Sequence, residues 1–155
     1  MKQYIGTKLI KAHPQTLGEY NLSKGWTIPA NEDPNTKGYR VEYSDSYISW
    51  SPKDAFEEAY RVYHNMTFGL AIEALKKGLK VARTGWNGKN MYLWLLPEAE
   101  VKKEWVKDPM LLEVFGDKDT LFCLGSIRMK TADGSILTGW LASQSDILAE
   151  DWTII

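Results

Sequence analysis

In the second half of the chain, one well-marked amphipathic helix is followed by several short strand-like runs, and that order permits few folds. Thr67 is placed to cap the helix, and Phe68, Ala71, Ile72 and Leu75 form one apolar stripe at i, i+3, i+4 and i+7. Gly78 is the expected stop. Leu79 to Arg83 reads as a strand, Thr84 to Asn90 as a Gly/Asn turn, and Met91 to Leu96 as a second strand. The last run shows little polar alternation, which predicts burial on both faces. Pro97 to Thr120 is charged and helical in tendency, broken at Pro109 and Gly116, and reads as one or two short helices inserted between strands. Leu121 to Thr131 is a third strand and Ser135 to Leu141 a fourth. Between them Ala132-Asp133-Gly134 makes a tight hairpin turn, its Asp-Gly pair supplying positive φ. Ser143 with Asp146 forms a capping pair for a short helix, Gln144 to Glu150, and Trp152 to Ile155 can add a final strand.

The chain divides near His64 to Thr67, giving a small module over residues 1–64 and a domain over 66–155. The module opens with an alternating stretch, Tyr4 to Ala12, closed by Pro14, and Gly25 to Gly38 reads as loop. Tyr39, Val41 and Tyr43, then a Ser-Asp-Ser turn, then Tyr47 to Trp50 read as a β-hairpin. Ser51 is placed to cap a helix with Pro52 at its first position and Asp54 reciprocating. That helix is expected to reach about Tyr63, with Ala55, Phe56, Ala59 and Tyr60 on one face. The class is α+β: a mostly antiparallel sheet with an N-terminal helix and short inserted helices, preceded by a small β-hairpin and helix module.

With 155 residues, 44% of them hydrophobic and 25% charged, the chain can bury a core and is not broadly disordered. Its net charge of −1 argues against a nucleic acid duplex as the main partner, because duplex binders need a positive excess. A small anionic ligand remains allowed. The start lacks the apolar core of a signal peptide, and the longest apolar runs are too short to span a bilayer. A cytosolic protein without a membrane partner is expected. The single cysteine, Cys123, excludes an internal disulfide and a Cys-based zinc site, and its mid-strand position suggests a buried, inert thiol.

Catalytic patterns are absent. His13 and His64 have no motif partner, and there is no nucleophile elbow, HExxH, phosphate-binding Gly-rich loop with Lys-Ser/Thr, or His cluster for a metal. No enzyme activity, metal or cofactor is expected. Glu98, Glu100, Glu104, Asp117 and Asp119 read as a solvated face. Binding features are richer, beginning with seven tryptophans. In the stretch from Thr84 to Met91, Trp86 offers a flat face, Asn87 an amide, Lys89 a cation, and the glycines accessible backbone N–H groups. Those are the groups a nucleotide needs; a β-corner with a packing tryptophan accounts for the same residues equally well. A second cluster joins Thr131, Ala132 and Asp133 to Trp140, Ser143, Gln144 and Asp146. A hairpin turn and a capped helix explain much of it, but not Trp140 beside a run of small polar residues. Arg83 pairs with Asp146 or Asp151, or else faces ligand, and the structural pairing is the favoured reading.

The two blocks MTFGLAIEALKKGLKVARTGWNGKNMYLWL and IRMKTADGSI…GWLASQSDILAEDW together resemble the second type of the phage and prophage anti-Thoeris family, over roughly Met66 to Ile155. The resemblance implies a non-catalytic sponge acting in the cytoplasm of the infected host. Such a protein sequesters the cyclic ADP-ribose isomer made by TIR-domain proteins, and cyclic di- or trinucleotides are further candidate ligands. It also implies a homo-oligomer, a tetramer built as a dimer of dimers, with pockets at subunit interfaces. On this resemblance Trp86, Asn87 and Met91 fall in the first ligand block, Thr131, Ala132 and Asp133 in the second, and Trp140, Ser143, Gln144 and Asp146 in the third. Trp86 or Trp140 would stack on adenine; Asn87, Thr131 and Gln144 would supply polar recognition. Lys89 is assigned to the pyrophosphate from its charge. Asn90 stands where the family has glycine, and asparagine is the least costly substitute if φ is positive there. An inserted Gly139 precedes Trp140, and the N-terminal module is absent from minimal members. Two other functions compete: an enzyme that cleaves the signal, and a structural or protein-interaction phage protein without a small ligand.

Overall fold

The computed structural model describes residues 7–155 and divides into two compact units, one ending at Arg61 and one running from Val62 to Ile155. Of the alternating stretch read from Tyr4 to Ala12, Tyr4, Ile5 and Gly6 lie outside the described residues.

In the N-terminal unit, β1 (Lys11–Pro14), β2 (Gly38–Glu42) and β3 (Ile48–Pro52) form an antiparallel sheet in that order. Two helices accompany it, α1 (Leu17–Ser23) and α2 (Lys53–Ala59). Helix α1 was not expected, although its signal is local. Thr16 Oγ1 accepts from the Glu19 amide at 3.3 Å, and the Glu19 carboxylate accepts from the Thr16 amide at 2.9 Å. This is a reciprocal capping box, which satisfies two backbone donors the first turn leaves free. The hairpin of β2 and β3 stands as read. The cap predicted for α2 does not: Ser51 and Pro52 belong to β3, and α2 starts without a side-chain cap. The ladder pairing Ser51 with Tyr39 and Pro52 with Gly38 holds both residues extended. Helix α2 also ends at Ala59, short of Tyr63, because Tyr60 turns extended and stacks on Phe56 at 4.9 Å. Phe56 in turn stacks on Tyr39 at 4.1 Å, so the aromatics of the predicted face pack on the sheet while Ala55 and Ala59 stay exposed.

The second unit is α+β, as its pattern predicts. Helix α3 (Phe68–Lys76) is capped by Thr67 and stopped by Gly78 at φ +79°. A five-stranded antiparallel sheet runs β10 (Trp152–Ile154), β4 (Val81–Arg83), β5 (Tyr92–Leu96), β8 (Ser126–Lys130) and β9 (Ile136–Thr138). The apolar stripe of α3 packs on one face of that sheet. Ala71, Ala74 and Leu75 are buried with Val81, Leu93, Met129 and Trp152. Strand β5 is therefore one-sided: Leu93 is fully buried, while Tyr92 and Trp94 are half-buried and Leu96 is exposed. Its lack of polar alternation comes from apolar residues on its second face, not from burial there.

The segment from Pro97 to Thr120 differs from the reading. It holds β6 (Ala99–Lys102), a 3₁₀ turn (Lys103–Trp105) and a single α-helix, α4 (Pro109–Phe115). Asp108 caps α4 by accepting from the Met110 amide at 3.0 Å, and Gly116 ends it at φ +51°. The single strand expected from Leu121 to Thr131 is two strands. β7 (Thr120–Cys123) pairs with β6 in a separate ribbon before the chain returns to the main sheet as β8. Cys123 accordingly closes a strand and is half-buried, rather than lying buried in mid-strand. At the β8–β9 turn only Gly134 takes positive φ, at +91°; Asp133 does not.

The fourth strand ends at Thr138 because of Gly139, whose φ is +79°. Both Gly139 and Trp140 donate their amides to Ile127 O, at 3.1 and 2.9 Å. Two residues thus oppose one, as in a G1 bulge. The extra residue gives Trp140 the place opposite Ile127, on the face that carries the core. Gly139→Ala would force a side chain into the left-handed region and is expected to destabilise this unit by about 1–2 kcal/mol. Urea unfolding followed by tryptophan fluorescence would measure it. The last helix, α5 (Gln144–Ile147), is shorter than expected.

Candidate ligand-binding loops

Loop 84–91, between β4 and β5, is where the predicted residues converge. On one side Trp86 Nε1 donates to Asp146 Oδ1 at 3.1 Å, at the start of α5. On another, the Gly85 amide donates to Asp151 Oδ2 at 2.6 Å, beside β10. On the third, Lys130 Nζ donates to Asn90 O at 3.2 Å. Gly88 sits so close to the β8–β9 turn that a Cβ there would come within 2.9 Å of Ala132 Cβ and 2.1 Å of Met91 Sδ. The second glycine of the loop is therefore a close-approach residue, not only a flexible one. Asn90 has φ +58°, so asparagine does occupy a left-handed position.

Three tryptophans lock the base of the loop. Trp86 meets Trp152 at 5.4 Å and Trp140 at 6.2 Å, and Trp140 meets Trp152 at 6.2 Å, all edge to face. These separations lie in the favoured range for aromatic pairs. Trp152 is fully buried and donates its indole N–H to Asp146 O at 2.9 Å. Trp86 and Trp140 are half-buried and keep part of their surface in solvent. Trp152 was read only as a strand residue. Its place at the centre of the triad comes from pairing β10 with β4, which the sequence does not announce.

Asp146 is the polar hub. Its Oδ1 accepts from Arg83 at 2.8 Å as well as from Trp86, and its Oδ2 accepts from the Ser143 amide and hydroxyl at 3.1 and 2.7 Å. Arg83 also donates Nε to Asp151 at 2.8 Å. The structural pairing of Arg83 is the observed one, with both candidate acids at once. Burial pushes the Asp146 carboxyl up, but the Ser143 hydroxyl, Arg83, Trp86 and the Ser143 amide outweigh it and hold the group at about 2. Arg83 likewise holds Asp151 below its ordinary value against the opposing effect of burial.

The β8–β9 turn is closed on itself. Thr131 Oγ1 bonds to Asp133 and Ser135, and Asp133 Oδ1 accepts from the Ser135 amide at 2.9 Å and its hydroxyl at 2.8 Å. These bonds, that from Thr131 first, hold the Asp133 carboxyl at about 2. Asn87, Lys89 and Gln144 are different: all three are exposed, and among the described residues their side chains make no hydrogen bond or ion pair. The predicted set therefore sorts into two kinds. Trp86, Trp140, Ser143, Asp146, Thr131 and Asp133 build the frame, with Met91 and Ala132 packed at Gly88. Asn87, Lys89 and Gln144 present uncommitted donors and acceptors from it.

The candidate residues thus sit in an α+β domain whose loops are anchored by tryptophan. The chain belongs to the Thoeris anti-defense 2-like family, whose domain model matches residues 66–155. Among its relatives is Thoeris anti-defense 2 of Bacillus phage SP01. The two are 41% identical over 97 residues, covering 58% of this chain and 94% of that protein. The match leaves the N-terminal unit outside the family domain.

Proposed function

We propose that the protein is a non-catalytic sponge. It binds a cyclic ADP-ribose isomer made by TIR-domain proteins, with cyclic di- or trinucleotides as further ligands, and withholds the signal from its receptor. It would do so in the cytoplasm of the infected host. The observation that carries this reading is the sorting of loop 84–91 and its neighbours into a rigid aromatic frame and three free polar side chains. Trp86 and Trp140 retain exposed surface for a base. Asn87 and Gln144 offer amide edges, and Lys89 offers a charge for a pyrophosphate. Asp146 and Asp133, held at about 2, stay ionised at neutral pH and spend their oxygens on the frame itself.

Isothermal titration with the cyclic ADP-ribose isomer, beside a cyclic trinucleotide, tests the reading. Tight binding is expected, about −10 to −12 kcal/mol, as competition with a receptor requires. Ligand released by denaturation should be chemically unchanged; a cleaved product would overturn the sponge and favour an enzyme. Lys89→Ala should weaken binding by about tenfold and flatten its salt dependence, because the lysine acts as a point charge on a pyrophosphate.

The same reading includes a homo-oligomer, built as a dimer of dimers. Large apolar side chains of the second unit reach solvent and are available to an interface between copies. Leu141 is 88% exposed, Leu124 78% and Leu148 76%, with Trp105 and Phe122 also exposed. Light scattering should give a mass near four chains, and a monomer would remove this element of the proposal.

A further inference from the structure

Asn87 is the one asparagine in the chain that is followed by glycine. The pair matters chemically, because a backbone nitrogen can attack the side-chain carbon of the residue before it. Glycine has no Cβ and leaves its nitrogen freest to swing into that position.

Loop 84–91 leaves both reacting groups unprotected. Asn87 is exposed and Gly88 half-buried, in a bend between β4 and β5. Among the described residues the Asn87 side chain makes no hydrogen bond, and the Gly88 N–H donates to no acceptor. Asp133-Gly134 is the comparable acidic pair, and it is restrained. The Asp133 carboxylate accepts from the Thr131 hydroxyl and from the Ser135 amide and hydroxyl, which keeps it ionised and a poor target for attack. Nothing of that kind holds Asn87.

We propose that Asn87-Gly88 is a self-modification site, where the exposed amide turns into a carboxylate with water as the only co-reactant. The Gly88 nitrogen gives up its proton and bonds to Asn87 Cγ, closing a five-membered imide. The Cγ–Nδ2 bond breaks, and that nitrogen leaves as ammonia with the proton. Water then opens the ring. Opening at Cγ leaves aspartate; opening at the backbone carbonyl leaves isoaspartate, whose main chain runs through the former side chain. Both products put a negative charge two residues from Lys89. On the sponge reading, on which this second step rests, an anionic ligand then meets a carboxylate in place of an amide donor. Binding capacity therefore declines with the age of each molecule.

The test holds the full chain at mildly alkaline pH and physiological temperature. Samples are digested with trypsin, which cuts after Arg83 and Lys89 and releases residues 84–89. That fragment should gain about 1 Da and split into aspartate and isoaspartate forms, about tenfold faster than fragments holding the exposed Asn35 or Asn65 convert. Asn87→Gln, which would have to close a larger ring, should keep its mass. Conversion at Asn87 no faster than at Asn35 and Asn65 overturns the proposal. In parallel, the cyclic ADP-ribose isomer is titrated into fresh and aged protein. The converted fraction of the parent should bind about tenfold more weakly, while Asn87→Gln should bind when aged as it does when fresh. Equal loss in both overturns the timed decline. If fresh parent binds no ligand, the sponge reading fails, and the mass of fragment 84–89 still decides the modification.

Discussion

Asp146→Ala is expected to cost the second unit about 3 kcal/mol, a fall of on the order of 10 °C or more in its unfolding temperature. One carboxylate accepts from Arg83, Trp86 and Ser143. Removing it strands a largely buried guanidinium and an indole N–H and opens the cap of α5. Removing one partner of a buried ion pair costs about 3–5 kcal/mol in general. The lower part of that range applies because Arg83 keeps Asp151. Asp146→Asn keeps the shape and some of the hydrogen bonds, and should cost about 1–2 kcal/mol. Urea unfolding of the two variants beside the parent decides it. Equal, small losses from both would mean that packing of the three tryptophans, not the carboxylate, holds the loop.

The same residue sets the acid limb of stability. Its folded value is about 2, below the ordinary 3.8, so the stabilisation is full above about pH 4 and is lost as the pH falls toward 2. The difference corresponds to about 2 kcal/mol. Asp151 and Asp133 are also lowered, so they push in the same direction. In Asp146→Asn the fall between pH 4 and 2 should be visibly shallower.

How much of this was legible in the chain depended on how far each signal reaches. The β8–β9 turn was legible because Thr131 to Ser135 bond almost wholly among themselves. The capping pair of Ser143 and Asp146 was legible for the same reason, whereas Arg83 reaches acids 63 and 68 residues away and the sequence offers Asp146 and Asp151 only as alternatives. Helix α1 was equally local, with Thr16 and Glu19 in the capping register, yet the seven-residue helix carries too short an apolar pattern to stand out. Strand β6 was missed because its apolar and polar alternation, Ala99 to Lys102, is only four residues long and sits in a charged run; pairing with Thr120 to Cys123 makes it a strand. The place of Trp152 belongs to this class too. Its neighbours in sequence say strand, and only the distant strand β4 and α5 make it the buried centre of the site. Of the candidate residues, the sequence names three blocks, and the division between frame and free side chains needs the hydrogen bonds.

That division makes a sharp functional prediction at Trp86. If its exposed surface stacks on a base, Trp86→Ala should weaken binding of the cyclic ADP-ribose isomer by about 10- to 100-fold, the loss of one aromatic platform. The alanine also removes an edge-to-face partner of Trp140 and Trp152, so lost binding alone would not separate stacking from collapse of the loop. Trp86→Phe separates them. Phenylalanine keeps a ring but cannot donate to Asp146, so it should lose stability by about 1 kcal/mol while holding affinity within about tenfold. The opposite pattern, full stability with affinity as low as in the alanine variant, would assign the indole N–H rather than the ring to ligand. If both variants bind as the parent does, the stacking surface belongs to Trp140. Its half-exposed ring stands 6.2 Å away in the same triad, reached through the bulge at Gly139.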